Sequence, residues 1–248
     1  MPDSFPLALV TGSAHRLGKA FALSLAHQGY AIALHYNSST DEASATAEEI
    51  RALGIPVFPF QADLTQFAQI QSLFASIDDI LVRHSAILSR FSVLVNSAAI
   101  MPHADLRTLS ADDFDTAFDL NLRAPFLLAQ QAYLRMEAGG LIVNISDIAA
   151  QKAWAGFPAY TVSKAGLDSL TRILARSFAP KVRVNAISPG LVLPSDNVSS
   201  ENWERLVKRL PIPRAAALAE ITSALEFLLK NEYITGQTIV VDGGYSLI

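Results

Sequence analysis

The sequence predicts an α/β fold built on a single doubly wound parallel sheet of about seven strands, with helices on both faces. Three observations predict it. Short segments that are almost continuously apolar recur along the chain, longer segments of helical periodicity separate them, and the first apolar segment runs straight into a glycine turn that opens a helix. With 248 residues, 51% of them hydrophobic, the chain is long enough for one large core without a second domain, so residues 1–248 are read as a single unit.

The elements follow in order. Leu7–Val10 is the first strand, and the turn after it leads into a helix over Leu17–Gln28. Ala31–Tyr36 follows, then a helix over Asp41–Leu53 whose Ser39-Thr40-Asp41-Glu42 start reads as a capping box; Gly29 and Gly54 stand where helix ends take left-handed residues. Val57–Gln61, Ser92–Asn96, Leu141–Ile145, Val182–Ile187 and Thr238–Val241 supply the remaining strands. Between them lie helical stretches over Gln66–His84, Asp112–Met136, Tyr160–Phe178 and Ala217–Leu229. One irregular stretch, Pro189–Pro213, holds four prolines around a short helical piece with Trp203. A loop that long at the carboxyl end of a strand reads as a lid over a site.

Composition excludes several function classes. Without cysteine there is no disulfide and no thiol-ligated metal, and no metal site is expected. A formal charge of −4 with dispersed Lys and Arg offers no nucleic-acid face. No apolar run approaches the ~20 residues of a membrane span, and Met1–Pro6 lacks the parts of a signal peptide, so a cytoplasmic address and a small-molecule substrate are expected.

The sharpest chemical signal is Asp147, thirteen residues before Tyr160, with Lys164 four residues after it. An i, i+4 pair on a helix shares one face, and an ammonium close to a phenol favours its ionised form, which brings the group toward the range useful in acid/base work. The opening Val10-Thr11-Gly12-Ser13-Ala14-His15-Arg16-Leu17-Gly18 places backbone N–H groups and a helix N-terminus where a pyrophosphate could lie.

Taken in series, the motifs resemble the short-chain dehydrogenase/reductase family over essentially the whole chain. They are the Thr11-Gly12 turn, Ala62-Asp63-Leu64, Asn96-Ser97-Ala98-Ala99, Asn121, Tyr160-x-x-x-Lys164, Ser188-Pro189-Gly190 and Asp242-Gly243-Gly244. Within that family the chain is most similar to the pteridine reductases. It has Arg16 where most relatives carry a glycine, Asp147 where they carry a catalytic serine, and a matching C-terminal segment around Tyr245-Ser246-Leu247. The resemblance implies a Rossmann fold and a homotetramer. It implies hydride transfer with Tyr160, supported by Asp147, as proton donor, Lys164 lowering the tyrosine pKa and holding the nicotinamide ribose, and Asn121 keeping a relay water. Cofactor-binding positions implied are Gly12, Arg16, Leu17, Gly18, Tyr36, Asn37, Ser38, Ser39, Asp63, Leu64, Asn96, Ala98, Tyr160, Lys164, Pro189 and Gly190. Ser146 could stand in for the serine, but consecutive strand residues face opposite sides, which would aim it away from the site.

Cofactor and substrate follow from particular positions. No acidic residue follows the second strand in His35-Tyr36-Asn37-Ser38-Ser39, so NADP(H) is preferred, with Arg16 expected to pair with the 2′-phosphate and NAD(H) still possible. Arg16, Met101, Asp147 and Trp154 are the expected substrate contacts. Met101 stands where pteridine reductases place a stacking phenylalanine, and Trp154, Phe157 and Trp203 could supply a ring from the loops. The favoured reading is an NADPH-dependent reductase of a pterin or similar C=N heterocycle. A carbonyl or alcohol oxidoreductase is the second, and a nucleotide-binding regulator without turnover the third.

Overall fold

The computed structural model describes residues 4–194 and 198–248. All seven strands form one sheet in the order β3-β2-β1-β4-β5-β6-β7. They are β1 Phe5–Val10, β2 Ala31–Tyr36, β3 Val57–Gln61, β4 Leu88–Asn96, β5 Gly140–Ile145, β6 Val182–Pro189 and β7 Thr238–Val241, and every neighbouring pair is parallel. The order reverses between β1 and β4, so the carboxyl ends of these two strands flank the crevice where such sheets bind ligands.

Alternation along β1 shows how the sheet is buried on both faces. Ala8 and Val10 pack with Phe21, Leu25, Ile32 and Leu34, beneath α1 (Arg16–His27), α2 (Thr40–Ala52) and α8 (Leu218–Lys230). Leu7 and Leu9 turn the other way, into a core with Phe74, Phe91, Leu94 and Leu128 beneath α3 (Phe67–Arg83), α5 (Ala124–Arg135) and α6 (Pro158–Phe178). A strand sandwiched between two such layers has no polar face, which is why these strands read as apolar runs rather than alternating ones.

Two expectations are corrected here. The helix expected over Asp112–Met136 is three pieces: α4 Ala111–Phe118, a π-helical turn over Asp119–Arg123, and α5. Pro125 accounts for the break, because it has no N–H to give to the Asn121 carbonyl four residues earlier. At α2, Ser39 takes the cap position but its hydroxyl caps nothing, so the capping box is absent. In the expected lid, α7 spans Ser200–Lys208, capped by the Ser199 hydroxyl, and buries none of its residues; the part of that loop at 195–197 lies outside the described residues. No helix among the described residues is long and apolar enough to cross a membrane.

Candidate active site

The glycine turn is held from three directions. Thr11 Oγ1 accepts hydrogen bonds from the N–H groups of Ser97 (2.9 Å) and Ala98 (3.1 Å), fastening the end of β1 to the end of β4. Gly12 has φ +63°, and a Cβ there would lie 2.9 Å from the Ala98 Cα; a Cβ at Gly18 would lie 2.1 Å from the Gly12 carbonyl oxygen. Only glycine lets these chains approach so closely. The third tie is His35, whose Nδ1 accepts from the Gly12 N–H at 3.1 Å while Nε2 lies 2.9 Å from the Ala62 carbonyl. That pairing needs the neutral ring with its proton on Nε2, and burial lowers its pKa to about 4. The first turn of α1 has neither a side-chain cap nor an acidic residue. A glycine cradle beside an uncapped helix start fits the pyrophosphate of a dinucleotide.

At the end of β2, the Ser38 and Ser39 hydroxyls make no hydrogen bond among the described residues, and no carboxylate stands between Tyr36 and Ser39. Asp63 accepts from the N–H (3.0 Å) and hydroxyl (2.7 Å) of Thr65, shaping the turn after β3. Two positions expected to contact cofactor turn their side chains elsewhere. Leu64 is buried in the core, and Asn96 donates to the Asn144 Oδ1 at 2.8 Å beneath α6, so each could offer a cofactor only its main chain. Pro189 ends β6, and the Gly190 N–H bonds the Val241 carbonyl at 3.0 Å.

Arg16 reaches toward the loop after β6. Its guanidinium donates to the Leu193 carbonyl at 3.2 Å, on the β6 side of the sheet, whereas Ser38 follows β2, on the opposite side of β1. This bond ties the start of α1 to the loop after β6. The residue is held at φ +53°, a left-handed conformation costing about 1 kcal/mol for a side chain with a Cβ. Arg16→Gly is therefore expected to raise Tm slightly while raising KM several-fold, because the loop after β6 loses its tie to the glycine turn; calorimetry and steady-state kinetics on one preparation check both.

Asp147, Tyr160 and Lys164 meet as the spacing predicts. The Tyr160 hydroxyl donates to Asp147 Oδ2 at 2.8 Å, and Asp147 Oδ1 accepts from the Ala149 N–H at 2.8 Å, at the start of a 3₁₀ turn over Ile148–Ala150. Ser146 is buried and points away beneath α6, as strand alternation requires. Lys164 Nζ donates to the Ile145 carbonyl at 2.7 Å and lies 5.6 Å from the centre of the Tyr160 ring.

Burial and Asp147, rather than Lys164, dominate the phenol's electrostatics. Burial, reinforced by the adjacent Asp147 carboxylate, drives the Tyr160 pKa well above its ordinary value. Burial also raises Asp147, against the hydrogen bonds from Ala149 and Tyr160 and the charge of Lys164. The carboxylate in direct contact governs the phenol, while the ammonium is farther away and bonded to a carbonyl. Tyr160 therefore keeps its proton at neutral pH, poised to donate it.

Asn121 is fully buried in the π turn. Its Oδ1 accepts from the Ile100 N–H, and its Nδ2 donates to the Ile100 carbonyl and to Ser163 Oγ, at 2.9, 2.9 and 3.1 Å. The side chain thus braces the loop after β4.

Met101 is half-buried in the braced loop. The loop after β5 is tied to it by the Ala104 N–H bonding the Gly156 carbonyl at 3.0 Å and by an edge contact of His103 on Phe157. Trp154 packs between Phe157 and Tyr245, with ring centres 6.3 and 6.1 Å away. Tyr245 was not singled out from the sequence. The C-terminal 3₁₀ turn Tyr245–Leu247 delivers it to the site, where Lys152 lies 4.7 Å over its ring and burial, with a smaller contribution from the Asp147 charge, raises its pKa against Arg209. The Asp242-Gly243-Gly244 motif was its available signal, since Asp242 accepts from the N–H groups of Gly244 and Ser246 and so shapes that turn.

Comparison with known proteins agrees with this geometry. The family model described as enoyl-(acyl carrier protein) reductase matches residues 12–246. The chain is 34% identical to the 3-oxoacyl-[acyl-carrier-protein] reductase FabG of Staphylococcus aureus over 96% of each protein. It is similar to the crystal structure of FolM alternative dihydrofolate reductase 1 from Brucella suis in complex with NADP, at TM-score 0.87 and 35% identity, over 100% of this chain and 97% of that one. It also matches a blue fluorescent protein from a metagenomic library in complex with NADPH, at TM-score 0.89 and 32% identity, over 99% of this chain and 100% of that one. A tyrosine–lysine pair at the crevice of a seven-stranded parallel sheet, behind a glycine turn, thus has its counterpart in sequence, and the chain belongs to the short-chain dehydrogenase/reductase family.

Proposed function

We propose that this protein is an NADPH-dependent reductase acting on a C=N bond of a pterin or similar aminopyrimidine-fused ring. The observation that carries this reading is the 2.8 Å hydrogen bond from Tyr160 to Asp147 in place of a serine. A serine hydroxyl is enough to polarise a ketone oxygen. A buried carboxyl can also receive N–H donors from an aminopyrimidine edge and share a proton with the tyrosine, as reduction at a ring nitrogen requires. The likeness to FolM supports the same class.

The glycine turn and α1 would hold the pyrophosphate, and the Ser38 and Ser39 hydroxyls would receive the 2′-phosphate. Lys164 and Tyr160 would hold the nicotinamide ribose. Bound NADPH supplies the hydride. Tyr160, kept protonated by burial and Asp147, gives its proton to the substrate nitrogen; Asp147 orients the ring. Proton resupply passes by Lys164 and the Asn121 carbonyl. Trp154 and Tyr245 wall the substrate side that Met101 leaves without a flat ring, Arg16 tethers the lid, and α7 covers the site.

A ketone substrate is the second reading, favoured by Met101 and by the 34% identity to FabG. NADPH oxidation followed at 340 nm with dihydropterins, dihydrofolate, a β-ketoacyl thioester and simple ketones separates the two, with Tyr160→Phe as the blank. Turnover confined to the thioester and ketones would reject the pterin reading.

The oligomer belongs to the same proposal. α4, α5 and α6 flank an apolar groove of about 580 Å³ lined by Phe118, Leu122, Phe126, Leu170 and Ile173, with Phe126 39% and Ile173 60% exposed. Groups of this size left open fit a second copy of the chain, consistent with a homotetramer built on these helices. Ile173→Glu is expected to reduce the particle to dimers or monomers by light scattering at micromolar concentration; a wild-type monomer contradicts it.

A further inference from the structure

Beneath α6 the ends of β5 and β6 and the start of β7 carry a second cluster that the reaction just described does not use. Asp168 lies one helical turn beyond Lys164, on the same face, and only 8% of it is exposed. Its Oδ1 accepts from Thr238 Oγ1 on β7 at 3.4 Å. Ser146 on the turn after β5 faces the carboxylate and lowers its pKa without reaching hydrogen-bond geometry, and the Ser146 and Ser188 hydroxyls are buried with no partner. Burial raises the Asp168 pKa, while Arg172 and Lys164 oppose that rise. Among the described residues no cation touches it within salt-bridge distance.

Lys164 has the complementary problem. It is buried, its one hydrogen bond goes to a neutral carbonyl, and burial pulls its pKa down to about 8 while Asp147 and Asp168 oppose the fall. Asp147 cannot serve as a constant counter-charge, because it shares a proton with Tyr160 and its charge varies through turnover. Asp168 is remote from that exchange. We propose that Asp168, held by Thr238 and faced by the Ser146 hydroxyl, is a positioning residue whose standing negative charge keeps Lys164 an ammonium while Tyr160 and Asp147 exchange a proton. The proposal rests on Lys164 belonging to the active site as read above.

The titration of Lys164 in the full-length protein, followed by lysine-selective NMR of the side-chain Cε and Nζ nuclei and assigned with Lys164→Arg, tests it without any substrate. Asp168→Asn is expected to weaken proton affinity at Lys164 about tenfold, and Asp168→Glu to restore most of it. The alkaline limb of kcat/KM should move with the NMR midpoint. An unchanged midpoint in Asp168→Asn, or a Glu variant no better than the Asn variant, overturns the proposal. Should Asp168→Asn fail to fold, Thr238→Val removes a donor that stabilises the carboxylate and lowers the Lys164 midpoint by a smaller factor; no movement there overturns it equally. A wild-type protein that reduces no pterin would reject the substrate reading and leave this titration to be judged by itself.

Discussion

Tyr160→Phe is expected to lower kcat by roughly 10³ while leaving the fold and NADPH affinity nearly intact. A positioned general acid contributes about 10² to 10⁴, and here the Tyr160 phenol donates to Asp147 at 2.8 Å and holds its proton at neutral pH. Because Tyr160 is raised well above its ordinary value, the direction of the pH effect is fixed as well. A high-pKa acid stays protonated as pH rises, so reduction should persist into the alkaline range until Lys164 loses its charge. The reverse oxidation, which needs the phenolate as base, should be slow at neutral pH. Stopped-flow single turnovers with NADPH binding measured in parallel distinguish loss of chemistry from loss of binding. A Tyr160→Phe enzyme within tenfold of wild type would mean the proton comes from elsewhere.

The second large effect is on stability. His35 is buried and neutral, and a proton added to Nδ1 would face the Gly12 N–H donor at 3.1 Å. Its pKa falls from an ordinary 6.5 to about 4, so the unfolded chain takes up a proton at a pH where the folded chain does not. The corresponding stability is fully present above pH 6.5 and is lost progressively as pH falls from there toward 4, for a total of about 3 kcal/mol. His35→Leu removes this sensitivity. It also leaves the Gly12 N–H and the Ala62 carbonyl without their partner, at about 2 to 4 kcal/mol, and loosens the turn that would receive the pyrophosphate. Denaturant titrations at pH 7 and pH 4.5 should show a less stable variant at pH 7 with a smaller drop on acidification. Equal drops in the two proteins would remove His35 as the acid-sensitive element.

The sheet was legible because the central strands, buried on both faces, are almost continuously apolar, and the edge strands β3 and β7, though more exposed, carry the same apolar runs. Asp147, Tyr160 and Lys164 were legible because strand alternation and helical spacing fix which side chains converge. What escaped has a local cause in each case. The π turn depends on Pro125 denying one hydrogen bond to Asn121, a single event inside a strongly helical pattern. The positive φ of Arg16 and its bond to Leu193 depend on the three-dimensional path of the loop after β6, which charge and spacing do not reveal. Likewise Lys164 seemed placed to lower the Tyr160 pKa, yet the competing desolvation is a property of the folded interior. His35 could be recognised only through a partner 23 residues away, in the Gly12–His35 bond.

The central claim is that Asp147 sets the enzyme for a ring nitrogen rather than a carbonyl. The most direct test is the ratio of kcat/KM for a dihydropterin to that for a ketone, in wild type and in Asp147→Ser. The account predicts a ratio above one in the wild type that falls at least 100-fold in the variant, with ketone turnover retained or raised. A ratio unchanged by the substitution, or a variant that loses ketone turnover as completely as pterin turnover, would contradict it.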